Sequence, residues 1–372
     1  MEILVAPISG GYFPHQLAAL QLLTENNYQP ELALGSSGGN LSIYLAMASH
    51  WDPVGLRRVV ASLNSDQIVR SWFPSLMSFV PSVVAGVFTG AAYRTSNKVY
   101  EFFRNYFTPL TMVETEVWNG AVNRDTGAVA LFCNRGMNDA LIQGRYYQHR
   151  LFKSEPLKYL NGDLDCICRS VVASSAVPLV FEAQEYNHQN YIDGGTKFAS
   201  PLVPLQDELR VLGSSQGLHI TYINGYNVEE DYSHSQIPVD IISSGVSVTA
   251  HVVRGFVLHD RMTACELVRS DCGNGLHYID IHIPEAITSV RSRIHLCNSS
   301  MLEIYPRYKG SINYTSFTGE ELLSVIDHSL PLLSARLWWV GRKDLFSDIQ
   351  GISAEEATSD LLHPGCPLRS RT

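Results

Sequence analysis

Gly35-Ser36-Ser37-Gly38-Gly39 sets one hydroxyl between flanking glycines, the Gly-x-Ser-x-Gly spacing of a nucleophile elbow. A serine on so sharp a turn has strained backbone angles, and side chains at the flanking positions would collide with the preceding strand or with a substrate. A short apolar run over 31–34 leads into the turn, and a helix-like stretch through Leu41, Tyr44, Leu45 and Ala48 leaves it. A helix beginning at Gly38 or Gly39 aims free N–H groups and the positive end of its dipole at the reacting centre. The five small residues alone fit an inert turn equally well. The strand before and the helix after them favour an activated Ser37.

Two further constellations carry groups that such a serine could use. Ser9-Gly10-Gly11 closes an apolar run over 3–8, and Tyr191-Ile192-Asp193-Gly194-Gly195 ends a strand-like run in a carboxylate followed by two glycines. Glycines permit close backbone approach, so Asp193 is poised over whatever its turn faces. An Asp-Gly turn between two strands is the plain alternative. Ala173-Ser174-Ser175-Ala176-Val177-Pro178 lies between the serine and aspartate motifs. None of the thirteen histidines lies in a comparably distinctive setting. His188 reads as an exposed turn residue, and His251 and His259 read as packing or surface groups on a helix. An ordinary α/β-hydrolase places its elbow after several strands and follows it with an acid and a histidine, whereas here the elbow follows the second strand.

The elements that must position these groups repeat. After the run at 3–8, Pro14 stands where a first helical residue belongs, ahead of Leu17, Leu20 and Leu23. The second strand, glycine turn and helix repeat that unit, as a parallel sheet requires. Residues 116–122 and 128–133 read as a hairpin around Asn123-Arg124-Asp125-Thr126-Gly127. Further strands are expected at Tyr191-Ile192, 218–224 and 278–283, and helices over 238–270, 319–328 and 331–340. One domain is expected over 1–330, with a helical or loose C-terminal extension over 331–372.

Composition narrows the function classes. With 45% hydrophobic and 17% charged residues among 372, the chain lies far from the composition of disordered proteins. A formal net charge of −9 opposes a broad phosphate-binding surface, so nucleic acid is not an expected partner. Seven cysteines without a Cys-x-x-Cys pair read as neither a zinc site nor a disulfide framework. No metal or cofactor is expected. Met1-Glu2-Ile3-Leu4-Val5 lacks the basic and apolar regions of a secretory signal, which points to a cytoplasmic protein. Residues 71–93, between Arg70 and Arg94, contain no charge. Pro74, Pro81, Gly86 and Gly90 argue against a membrane span there, leaving buried core or an apolar rim carrying Trp72, Phe73, Met77 and Phe79.

In their order, Ser9-Gly10-Gly11, Gly35 to Gly39, Ala173 to Pro178 and Asp193-Gly194-Gly195 resemble the patatin-like phospholipases, lipid acyl hydrolases that use a serine and an aspartate without a histidine. The resemblance covers roughly residues 3–205. It implies a three-layer α/β fold with a mostly parallel central sheet flanked by helices. It also implies Ser37 as nucleophile, Asp193 as base, backbone N–H groups of Gly10, Gly11 and Gly38 as an oxyanion hole, and no cofactor. The implied substrate is a phospholipid or another acyl-ester lipid; the charge-free run 71–93, where it is not core, would then give peripheral membrane contact. The chain departs from the family pattern in its shorter glycine loop, which lacks the basic residue that usually follows, and in Ser200-Pro201 where an Asn-Pro pair is common. The shortened loop admits a second expectation, a catalytically weak member kept as a membrane-binding or interaction protein.

Overall fold

A computed structural model of the chain describes residues 1–64, 97–108, 111–135, 153–178, 181–227, 241–269, 276–281, 284–312, 317–349 and 355–356. The stretch 71–93, with its expected apolar rim, lies outside the described residues, as does most of 351–372. Among the described residues no helix is long and apolar enough to cross a membrane.

In chain order the strands are β1 (Glu2–Ala6), β2 (Leu32–Gly35), β3 (Glu116–Asn123), β4 (Val129–Cys133), β5 (Lys158–Tyr159) and β6 (Gln184–Tyr186). They continue with β7 (Gln189–Asp193), β8 (His219–Ile223), β9 (Leu276–Ile281), β10 (Ser299–Pro306), β11 (Leu333–Val340) and β12 (Glu355–Glu356). The helices are α1 (Phe13–Glu25), α2 (Gly38–Ala48), α3 (Pro53–Ala61), α4 (Asn97–Tyr106) and α5 (Leu164–Ser174). After them come α6 (Gln206–Gln216), α7 (Ile241–Arg269), α8 (Pro284–Arg291) and α9 (Gly319–Ser329).

β1 illustrates why the centre of the sheet is parallel. Leu4 and Ala6 enter one hydrophobic core while Ile3 and Val5 enter another on the opposite face. A strand covered on both faces must be apolar throughout, which is the signature of a parallel sheet wrapped by helices. The five central strands run in the order β10-β8-β1-β2-β3, all mutually parallel. Antiparallel pairings occupy the margins: β4 on β3 at one side, and β11, β9 and β12 at the other. Side chains of α1, α2, α5 and α9 fill the first core, and those of α6 and α7 the second. The expected fold, a sheet with a parallel centre between two helical layers, is the one observed.

The C-terminal region corrects the sequence reading. Residues 331–340, expected to be helical, instead supply β11, which pairs along its length with β10 and with β9. Seven of its eight residues are buried, so the sheet continues through the boundary expected after residue 330. Leu333, Ala335, Leu337 and Trp339 face one core and Trp338 and Val340 the other. A strand buried on both faces loses the two-residue alternation that would reveal it.

Candidate active site

The edge of β3 brings the serine and aspartate motifs together. β2 pairs with it as far as Gly35 opposite Asn119, and β7 takes over on the same edge, with Asp193 opposite Ala121. The other edge belongs to β4. The chain leaving β2 toward Ser37 therefore meets the chain leaving β7 at Asp193. This junction tolerates no side chain at Gly194, where a Cβ would lie 2.5 Å from Ser36 Oγ and 2.6 Å from the Gly120 carbonyl oxygen. Gly39 is equally constrained, since its Cβ would lie 2.1 Å from the carbonyl oxygen of Ala6.

Ser37 caps α2 with φ 53° and ψ −129°, a conformation that costs a non-glycine residue roughly 1–3 kcal/mol. The Ala173 to Pro178 motif holds it there from both sides. Ser37 N–H donates to the Ser174 carbonyl oxygen at 3.0 Å, and Ser175 Oγ donates to the Ser37 carbonyl oxygen at 3.3 Å. The same motif also fixes the other partner, because Asp193 N–H donates to the Ala176 carbonyl oxygen at 3.0 Å. A single short segment thus sets the backbone of both residues.

Asp193 is 3% exposed. Its Oδ1 accepts from Gly195 N–H at 2.6 Å, and its Oδ2 has no hydrogen-bond partner. Burial pushes its pKa up to about 6, opposed by the nearby Ser37 hydroxyl and by the Gly195 N–H. Ser37 is therefore close enough to act on the carboxyl without forming a bond of ordinary geometry to Oδ2. Such pairs commonly tighten only when substrate is present. A carboxylate in this state retains basicity toward a hydroxyl while still ionising near neutral pH.

The glycine loop stands beside the start of α2. Gly10 N lies 3.3 Å from the point a Cβ on Gly38 would occupy, and Ser9 Oγ lies 2.6 Å from it. Ser9 Oγ donates to Gln16 Oε1 at 2.7 Å, and Gln16 Nε2 donates to the Pro7 carbonyl oxygen. Gly10 adopts φ +52°, which accounts for a glycine at that position.

Ser37, Asp193, Gly10 and Gly11 line one cavity of about 680 Å³, within the usual range for small-molecule sites. Gly38 is not among its described lining residues but follows Ser37 directly. Much of the wall is apolar, including Ile8, Val177, Pro178, Val253 and Phe256, and Arg254 is the cation among the described residues lining it. Val252, Val253, Arg254 and Phe256 come from α7, more than two hundred residues beyond the elbow. No local spacing in the sequence could have assigned them to the site.

His188 and His259 are not among the described residues lining this cavity. His188 sits with Asn187 in the positive-φ turn between β6 and β7, with its side chain 99% exposed, and His259 is exposed on α7. His251 belongs to the same helix, and its side chain is outside the described residues. Among the described residues no group of three or more histidine, cysteine or acidic side chains is arranged to hold a metal ion.

A patatin-like phospholipase family model matches residues 9–205, just over half of the chain and a span holding all four motifs. The chain belongs to the patatin-like phospholipase family, whose members hydrolyse acyl esters of lipids. No curated protein matches it in sequence.

Proposed function

We propose that the protein is a phospholipase A-like lipid acyl hydrolase working through Ser37 and Asp193. The observation carrying this reading is the buried, half-partnered Asp193 carboxylate facing the strained Ser37 in an apolar-walled cavity. Ser37 Oγ attacks the ester carbonyl carbon as its proton passes to Asp193 Oδ2. Backbone N–H groups of Gly10, Gly11 and Gly38 hold the developing oxyanion, a contribution of about 10²–10³ in rate per donor. Collapse of the tetrahedral intermediate expels the alcohol, which takes its proton from Asp193, and leaves an acyl-Ser37. Water then gives a proton to Asp193 and attacks the acyl carbon, releasing the fatty acid and returning the proton to Ser37.

The apolar wall suits an acyl chain, and Arg254 suits an anionic substituent on the same substrate, so a phospholipid fits better than a neutral glyceride. Contact with aggregated lipid through 71–93 belongs to this reading. Replacing Trp72 and Phe73 with Ser is expected to slow hydrolysis of vesicle lipid while sparing a soluble short-chain ester and the melting temperature. A joint loss of both activities and of stability would make the segment core. The reading as a whole is tested by incubating purified protein with phospholipids, lysophospholipids, glycerides and short acyl esters beside a Ser37→Ala control. Fatty acid release that is equal in the two proteins would refute it.

A further inference from the structure

Each of three carbonyls in the glycine loop is tied. The Ser9 carbonyl oxygen accepts from Tyr12 N–H at 3.0 Å, and that of Gly10 accepts from Phe13 N–H. Because the C=O and N–H of a trans peptide are coplanar and opposed, these two bonds set the directions of Gly10 N–H and Gly11 N–H. Both are local to the turn. The third is not: the Gly11 carbonyl oxygen accepts from Ile312 N–H at 3.0 Å. Ile312 lies about a hundred residues past the end of the family-matched stretch, on the chain that leaves β10.

A second tie joins the same two segments. His15, in the first turn of α1, is fully buried, with Nε2 against the Gly310 carbonyl oxygen and Nδ1 3.0 Å from Ser329 Oγ. A carbonyl oxygen only accepts, so Nε2 carries the proton and Nδ1 accepts from the serine hydroxyl. Burial pushes the His15 pKa down to about 4, which keeps this neutral tautomer in place at working pH. His15 also stacks on Tyr12, with ring centroids 6.1 Å apart, and meets the edge of Tyr308 at 5.9 Å. Tyr12 lines the cavity beside Gly10 and Gly11.

We infer that residues 307–312 form a strap that positions the oxyanion loop, with His15 as the positioning residue that joins strap to loop. This rests on the reading of Gly10 and Gly11 as oxyanion donors. The strap supplies from a distant part of the chain a restraint that a loop with few glycines and no basic residue after them does not provide locally. It acts in the transition state, where a displacement of about 1 Å costs roughly 10²-fold.

His15→Phe keeps an aromatic ring but removes the second tie, both its bond to the Gly310 carbonyl and its bond to Ser329, while the Ile312–Gly11 backbone bond stays. In this variant kcat on a soluble short-chain ester is expected to fall about ten- to hundredfold, with KM changed less than about twofold. Amide exchange in a peptide spanning 9–17 is expected to quicken. His15→Gln, whose amide can still donate to the Gly310 carbonyl, is expected to recover much of kcat. A folded His15→Phe variant with wild-type kcat, or a loss confined to KM or melting temperature, overturns the proposal. If His15→Phe does not fold, Ser329→Ala removes only the Nδ1 partner and is expected to lower kcat a few-fold; an unchanged kcat there overturns the proposal as well. Should the wild-type protein hydrolyse no ester, with Ser37 inert to a fluorophosphonate, the dyad reading fails instead. Amide exchange in 9–17 then decides the strap by itself.

Discussion

Ser37 faces Asp193 on the cavity wall, and Ser200 faces Asp260 inside the second core. Both carboxylates are buried, and burial pushes both pKa values up, Asp193 to about 6 and Asp260 to about 7. Asp260 is fully satisfied: Ser200 Oγ lies 3.0 Å from Oδ1 and 2.8 Å from Oδ2, and Tyr222 Oη donates to Oδ2 at 3.0 Å. Ser200 Oγ also accepts from Leu202 N–H at 3.1 Å. Ser200, Tyr222 and Asp260 are wholly shielded from solvent, whereas Ser37 and Asp193 line a cavity and Asp193 Oδ2 has no partner. A raised pKa and a nearby hydroxyl therefore do not by themselves separate the proposed catalytic pair from a structural one. The distinguishing features are the spare acceptor, the strained serine backbone and the space for a substrate.

Removing each pair should separate the two roles most sharply. Ser37→Ala and Asp193→Asn are each expected to lower kcat/KM by about 10³-fold or more, with the double variant little worse than either single one. Ser200→Ala is expected to leave kcat per folded molecule within a few-fold and to cost roughly 1–2 kcal/mol of stability, because Asp260 loses a buried hydrogen bond. Calorimetry beside activity normalised to folded protein would check both. A large rate loss in Ser200→Ala with unchanged stability would erase the distinction.

The pH profile should belong to one aspartate only. In the proposed mechanism Asp193 acts as a base when ionised, so kcat/KM is expected to fall about tenfold per pH unit below an acid limb near 6. Asp260→Asn should leave that limb where it is. A limb that shifts or vanishes in Asp260→Asn would transfer the basic role away from Asp193.

A stability effect of opposite sign accompanies the rate loss. Between the ordinary carboxyl value of 3.8 and its folded value of about 6, Asp193 binds more protons in the native than in the unfolded protein. Stability therefore falls as pH rises through that window, and the cost is fully present above it. Asp193→Asn is expected to stabilise the inactive protein by roughly 1–3 kcal/mol at pH 8, with the gain gone at pH 4. Denaturant unfolding at the two pH values measures it, and a gain at pH 4 equal to that at pH 8 would count against the carboxylate as its source.

The smallest expected effect concerns the cavity wall. Arg254→Ala should reduce hydrolysis of anionic phospholipid several-fold relative to a neutral glyceride presented in the same vesicles. Equal losses on both substrates would remove Arg254 from substrate selection.

The serine and aspartate motifs were legible because close approach leaves glycine as the only residue that fits. Gly39 lies against the carbonyl of Ala6 and Gly194 against that of Gly120, so the chain records these contacts in its residue types. β1, β2, the β3–β4 hairpin and α7 were legible from apolar runs and turn residues. β10 was not: it opens with Ser299-Ser300 and carries Glu303 and Pro306. Its glutamate is buried between Asn224, whose Nδ2 donates to Glu303 Oε1 at 2.6 Å, and Arg261, whose Nε lies 3.4 Å from Oε2, tertiary contacts with no local signal. The α7 wall and the tie from Ile312 to Gly11 were hidden for the same reason, since each depends on residues far apart in sequence.

The central claim, that Ser37 is a nucleophile activated by Asp193 and not by any other buried acid, is met most directly by covalent labelling. Wild-type protein, Asp193→Asn and Asp260→Asn would each be treated with a fluorophosphonate and the modified peptide located by mass spectrometry. A single phosphonylated residue, Ser37, is expected, formed at similar rates in wild type and Asp260→Asn and at least about a hundredfold more slowly in Asp193→Asn. Labelling at another serine, or undiminished labelling of Ser37 in Asp193→Asn, would contradict it.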